Sequence, residues 1–124
     1  TDTPEELIKL ALEKGLSGLS ITDHDTLSGY ARGLECARLF NFPLLSGIEL
    51  SASYRNEPVH ILGYAFDLQS KELAALCQRH KKRRESRNHK IAEKLKRLGI
   101  EIEIEEESVG SFGRPHIARL VLEK

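Results

Sequence analysis

Leu19-Ser20-Ile21-Thr22-Asp23-His24-Asp25 is the stretch on which the reading of this chain turns. The alternation at Leu19-Ser20-Ile21 predicts a short strand. That strand runs directly into Thr22 to Asp25, four polar residues of the kinds that hold metals or cap turns. Upstream, Thr3-Pro4-Glu5-Glu6 opens a helix: Thr3 stands at the cap, proline at the first helical position, and Glu6 completes a capping box. Leu7, Ile8, Ala11 and Leu12 give the helix an apolar stripe before Gly15 ends it. Downstream, Ser28 or Gly29 starts a second helix, whose Leu34, Ala37, Leu39 and Phe40 are expected to face inward until Asn41 and Pro43 stop it.

Leu44 to Leu50 reads as the next strand. The order helix, strand, helix, strand requires parallel strands joined by helical crossovers, so the first fifty residues predict an α/β fold. Ligands of such sheets sit beyond the carboxyl ends of the strands. Thr22 to Asp25 occupies that position after the first strand, and Gly47-Ile48-Glu49 lies along the second.

Tyr54-Arg55-Asn56-Glu57 is a turn candidate, because Asn tolerates left-handed backbone, and Val59 to Tyr64 resumes a strand. A two-residue loop at Arg55 and Asn56 pairs Tyr54 with Glu57, which sets Glu49 opposite Leu62 and Ser51 opposite His60. Glu49 and His60 are then diagonal neighbours on one face. A three-residue loop would send them to opposite faces.

Composition narrows the classes. At 124 residues and 40% apolar, the chain suits one compact domain, and neither disorder nor a membrane span is expected. Nothing at its start reads as a charged segment followed by a signal-peptide core, so a cytoplasmic location is the default expectation. Nineteen basic and nineteen acidic residues cancel, and overall charge does not argue for nucleic acid. The isolated thiols Cys36 and Cys77 have neither CxxC nor zinc-finger spacing and are expected as buried, reduced core residues.

Ser70 caps a long helix that reaches about Leu98, with Gly99 as its stop. Leu73, Leu76 and Cys77 are expected to bury its first turns, and Ile91, Leu95 and Leu98 its last. Ten of the nineteen Lys and Arg lie between Arg79 and Arg97, and no apolar side chain occurs between Gln78 and Lys90. That middle reads as a solvated face or as a surface that meets anions. Ile100, Ile102 and Ile104 then alternate with glutamates, as in an edge strand or an extended connection, and five glutamates fall between Glu101 and Glu107. Gly113-Arg114-Pro115-His116 leads into a last helix through Leu122, with proline at its first position.

His24, Glu49 and His60 together supply imidazole and oxygen donors, a mixture suited to zinc, manganese or iron. Asp23 and Asp25 flank His24 and suit either orienting its ring from behind or capping the turn after the strand.

The segments Thr22-Asp23-His24-Asp25-Thr26-Leu27-Ser28-Gly29, Gly47-Ile48-Glu49-Leu50-Ser51 and Val59-His60-Ile61-Leu62-Gly63-Tyr64 resemble, in order and spacing, the PHP (polymerase and histidinol phosphatase) family. Gly113-Arg114-Pro115-His116-Ile117-Ala118-Arg119 further resembles its nucleotide-directed branch, which contains nucleoside 3',5'-bisphosphate phosphatases and 5'-to-3' exoribonucleases. The resemblance implies a distorted β/α barrel with up to three divalent metal ions at the carboxyl ends of its strands. His24 would ligate one, Glu49 would bridge two others, and His60 would ligate one of that pair. Arg114 and His116 map to a substrate-phosphate seat carried by a helical insertion. A helix start presents free N–H groups and a positive dipole end, which independently suits that role.

By the same resemblance, residues 1–69 are the N-terminal part of the domain without its first His-x-His strand, and residues 70–124 are the insertion. The C-terminal half of the barrel, with a His-Pro and an Asp-x-His, is absent, so the chain reads as an inactive fragment. The intact protein is expected to be a metal-dependent phosphoesterase that uses a metal-activated water on a nucleotide or short RNA. Two rivals are a PHP domain that has lost catalysis and serves as an interaction module, and a nucleic-acid-binding role for the basic helix alone. That helix lacks interleaved aromatics.

Overall fold

Residues 2–103 and 113–123 are described by a computed structural model. They form α1 (Pro4–Glu13), β1 (Leu19–Ile21), α2 (Ser28–Leu39), β2 (Leu44–Tyr54), β3 (Glu57–Tyr64), α3 (Lys71–Arg97) and α4 (Arg114–Leu122). This is the α/β class that the element order predicts, built on an open sheet of three strands in the order β1-β2-β3.

α1 starts where its capping box says it should. The Glu6 N–H donates to Thr3 Oγ1 at 3.2 Å, and the Thr3 N–H donates to Glu6 Oε2 at 2.7 Å. Gly15, at φ +71°, takes the left-handed turn after the helix. Ile8 and Ala11 point inward and meet Cys36, Ala37 and Phe42, with Leu19 and Leu44 packed against the cluster.

The inner face of α2 differs from the expected one. Gly29, Gly33, Cys36 and Ala37 are buried, whereas Leu39 is 84% and Phe40 50% exposed. Leu39 lies off the face defined by Cys36 and Ala37 at 3.6 residues per turn. Phe40 is past the last helical turn, and Phe42 fills the core in its place at 7% exposure.

β1 and β2 run parallel, pairing Leu19 with Leu44, Ser20 with Leu45 and Ile21 with Ser46. Gly47 permits their close approach, since a Cβ there would collide with the Ser20 hydroxyl and lie 2.8 Å from Thr22 Cγ2. β2 and β3 form an antiparallel hairpin from Gly47↔Tyr64 to Tyr54↔Glu57. Its loop is Arg55 and Asn56, both left-handed at φ +49° and +68°, as a two-residue hairpin turn of type I′ requires.

α3 begins at Ser70, whose Oγ accepts the Leu73 N–H at 3.2 Å. Its burial reverses the expectation. Leu73, Leu76, Ile91 and Leu95 are only half-buried and Leu98 is 75% exposed, while Asn88, in the middle, is 4% exposed. The segment without apolar side chains has two sides: Arg79, Lys81, Lys82, Arg83, Ser86, His89 and Lys90 are exposed, as a solvated face requires, whereas the His80 and Arg84 side chains are only 14% and 19% exposed. Charge complementarity, not apolar contact, holds this part of the helix inward.

Cys36 is buried, but Cys77 is half-buried, and both are free thiols. Partial burial, with the nearby Asp25 carboxylate, pushes the Cys77 thiol up. Residues 100–103 join no strand, which leaves the extended-connection reading for Ile100 and Ile102. Ile104 and Glu105 to Glu107 lie outside the described residues. α4 follows Gly113, with Arg114 rather than Pro115 as its first helical residue. Among the described residues, no helix is long and apolar enough to cross a membrane.

Candidate metal centre and its cleft

The parallel register of β1 and β2 continues beyond β1 to an isolated bridge between His24 and Glu49. The Glu49 N–H donates to Asp23 O at 3.1 Å and the Asp25 N–H donates to Glu49 O at 2.9 Å. His24 is thus held laterally beside Glu49. On the other side, His60 pairs with Ser51, two residues beyond Glu49, so its side chain emerges on the face that Glu49 occupies.

His60 Nδ1 lies 2.7 Å from Glu49 Oε1, and His24 Nε2 lies 3.6 Å from Glu49 Oε2. The two imidazoles meet edge to face, their centroids 4.7 Å apart. One donor atom from each of the three side chains falls within a 4.8 Å span. Donors bound to one ion at about 2.0–2.2 Å stand no more than about 4.4 Å apart. A small side-chain adjustment, or sharing between ions, would therefore bring the set to coordination distance. His24 Nδ1 is buried and has no hydrogen-bond partner among the described residues. With Nε2 turned to the Glu49 carboxylate and the His60 ring alongside, this set of two imidazoles and a carboxylate fits a divalent cation.

The two aspartates beside His24 go to different places. The Asp23 carboxylate lies against Gly29 in the first turn of α2, where any Cβ would strike it. That helix has no side-chain cap of its own, so Asp23 supplies negative charge at its positive end. Asp25, 5% exposed, accepts from the Ser51 N–H and Oγ, both at 2.8 Å, and from Arg84 Nη2 at 2.6 Å. Burial pushes its carboxyl up, but the two Ser51 hydrogen bonds and the charges of His80 and Arg84 outweigh burial and hold it below the usual carboxylate range.

Arg114 and His116 stand exposed at the start of α4. His116 Nδ1 accepts the Gly113 N–H at 3.1 Å, which puts the ring proton of the neutral imidazole on Nε2. They line one cleft, of about 730 Å³, with His24, His60, Arg84 and Arg87. Partial burial, then the charges of Arg84 and Arg114, lower the affinity of Arg87 for its proton, and Arg87 Nε is buried without a partner. Arg84, Arg87 and Arg114 thus lie within electrostatic reach of one another along the cleft, the charge of Arg84 being matched by the Asp25 carboxylate.

Sequence reasoning did not single out His80, Arg84 and Arg87. No signal in the segment marks them, since it is polar throughout and carries no apolar stripe to define an inner face.

The chain is similar to known proteins in sequence and in fold. The PHP domain family profile matches residues 1–98, and the chain belongs to the PHP domain family. It is 34% identical over 98 residues to a 5'-3' exoribonuclease of Haemophilus influenzae, covering 79% of this chain and 36% of that protein. It is 33% identical over 98 residues to the 3',5'-nucleoside bisphosphate phosphatase of Chromobacterium violaceum, covering 79% and 34%. Among solved structures, it superimposes with a TM-score of 0.86, at 28% identity, on a Bifidobacterium adolescentis protein assigned to the metal-dependent phosphoesterases. That match covers 99% of this chain and 45% of the other. The TM-score is 0.82, at 29% identity, with an amidohydrolase of Chromobacterium violaceum holding sulfate and no metal, covering 98% of this chain and 44% of that one. The chain thus spans less than half the length of the relatives it matches.

Proposed function

We propose that this chain is part of a metal-dependent phosphoesterase that hydrolyses phosphate esters of nucleotides or short RNA. The observation that carries the reading is the convergence of His24, Glu49 and His60, two of which, His24 and His60, line a cleft together with Arg87, Arg114 and His116. His24, Glu49 and His60 would hold the divalent ions, of the manganese, zinc or iron type. Bound there, such ions supply Lewis acidity toward water and the phosphoryl oxygens.

The residues of the chain do the rest. Arg114 offers a fork of donors to a phosphate, and His116, with its proton on Nε2, would add a single N–H. Arg87 adds charge in the same cleft. Ser51 makes a poor nucleophile, because the carboxylate that accepts its hydroxyl proton, Asp25, is held below its usual range and is a weak base. The names of the Haemophilus and Chromobacterium relatives support a nucleotide or RNA substrate. In this reading residues 70–124 are a helical insertion that brings the phosphate seat to a domain begun by residues 1–69.

Three donors are few for a cluster, since one zinc or manganese ion takes about four or more. Residues 1–124 alone are therefore expected to lack phosphatase activity, and the longer protein to supply the missing donors. The test loads the whole protein with manganese and measures phosphate release from a nucleoside 3',5'-bisphosphate. Glu49→Gln and His60→Ala should lose metal and turnover together. Full turnover in a variant that has lost its metal would sink the proposal.

A further inference from the structure

α3 lies along the cleft with little apolar burial of its own: Asn88 is its one fully buried residue. The Asp25 carboxylate reaches it at Arg84 and His80. Asp25 sits at φ +57°, a left-handed backbone that Asp tolerates better than most side chains. In that conformation its N–H bonds Glu49 O and its carboxylate turns away from the sheet ladder toward Ser51 and α3. Oδ1 accepts the Ser51 N–H, and Oδ2 accepts both Ser51 Oγ and Arg84 Nη2. His80 Nδ1 stands 3.8 Å from Oδ1. One side chain thus joins the loop that carries His24, strand β2 two residues past Glu49, and a helix 59 positions later in the chain.

Arg84 is engaged by this contact, its charge matched by a carboxylate 2.6 Å away. Arg87, one turn further along α3, has no carboxylate partner among the described residues, and its Nε is without a hydrogen bond. Both arginines line the cleft, but the pairing matches the charge of Arg84 to Asp25 and leaves that of Arg87, whose Nη2 donates only to Asn88 Oδ1 at 3.3 Å, without a carboxylate among the described residues.

We infer that Asp25 is a positioning residue: through Arg84 it fastens α3 to the strand ends that carry His24 and Glu49, and so sets Arg87 against the cleft. The ligand expected in that cleft rests on the phosphoesterase reading, but the clasp does not.

The test is a double-mutant cycle in the whole protein with Asp25→Asn, Arg84→Gln and both together. It is read by steady-state kinetics on a nucleoside 3',5'-bisphosphate, by metal content and by the thermal midpoint. Each single variant should raise KM about tenfold, and the double variant should be no worse than the worse single, as for two residues acting as one unit. With kcat and metal content near wild type, that split separates placement of the substrate from loss of the metal site. Additive effects on KM, or loss of metal in Asp25→Asn, would overturn the inference, the latter by making Asp25 a support of the ligands. If the wild-type protein shows no turnover, the phosphoesterase reading fails. The cycle is then scored on the thermal midpoint and on amide exchange across residues 71–97, where coupling sustains the clasp and additivity overturns it. Should Asp25→Asn not fold, Ser51→Ala replaces it in the cycle with the same two outcomes.

Discussion

Nδ1 of His60 lies 2.7 Å from Oε1 of Glu49, although the two residues sit on different strands and are not direct partners. Their meeting depends on the parity of the hairpin. With Arg55 and Asn56 alone in the loop, an even register puts both side chains on one face. Deletion of Asn56, after which a two-residue loop must take in Glu57 and pair Tyr54 with Pro58 and Ala52 with His60, is therefore expected to turn His60 to the face opposite Glu49. Metal affinity should fall at least about tenfold, by loss of one donor, while helical content stays unchanged. Equilibrium dialysis against manganese, with far-ultraviolet circular dichroism as the control, checks this.

The residues assigned to metal and those assigned to phosphate should separate in their effects. Arg114→Ala and His116→Ala remove groups assigned to the substrate phosphate, and each is expected to weaken binding about tenfold, the scale of one or two charge-assisted hydrogen bonds. Metal content should not change. His24→Ala is expected to do the reverse, lowering bound metal first. Metal analysis beside KM measurements distinguishes the two, and loss of metal from the Arg114 variant would show the roles to be misassigned.

Gly47→Ala places a methyl group where the Ser20 hydroxyl, Thr22 Cγ2 and the Ile21 carbonyl already lie. The two strands must part locally or Ser20 must shift, and overpacking of this kind costs about 1–3 kcal/mol. Urea unfolding should show a lower midpoint with an unchanged slope. Because the displaced ladder leads to the His24–Glu49 bridge, metal affinity should weaken as well.

Hydrogen bonds from the Thr3 backbone and then its side chain lower the Glu6 carboxyl below its ordinary value, against a small opposing effect of burial. A depressed folded pKa means that Glu6 contributes stability above its unfolded pKa of about 4.3 and loses it as pH falls through the folded value. Glu6→Gln should accordingly flatten the acid limb of the thermal midpoint between about pH 5 and pH 3, with little change in slope above that window. An unchanged acid limb would remove the capping box from the account of α1 stability.

Much of this molecule was legible residue by residue because the interactions concerned are short in sequence. Thr3 and Glu6 cap α1 across three residues, and β1 spans the Leu19–Ile21 stretch whose alternation marks it. The hairpin register follows from turn chemistry at Arg55 and Asn56 alone, and with it the shared face of Glu49 and His60. The α/β class follows from the order of those elements.

What escaped the sequence depends on partners far along the chain. Whether the polar middle of α3 faces water or protein is not encoded in its own periodicity, since no apolar stripe marks an inner face. The Asp25 carboxylate, 59 positions from Arg84, draws Arg84 and the neighbouring His80 inward, and only the folded sheet brings it there. In the same way Leu39 and Phe40 pass for core residues by composition, yet the core cluster around Ile8 and Ala37 is closed by Phe42 instead. Short-range hydrogen bonding and strand parity are properties of neighbouring residues. Burial and charge pairing are properties of the packed whole.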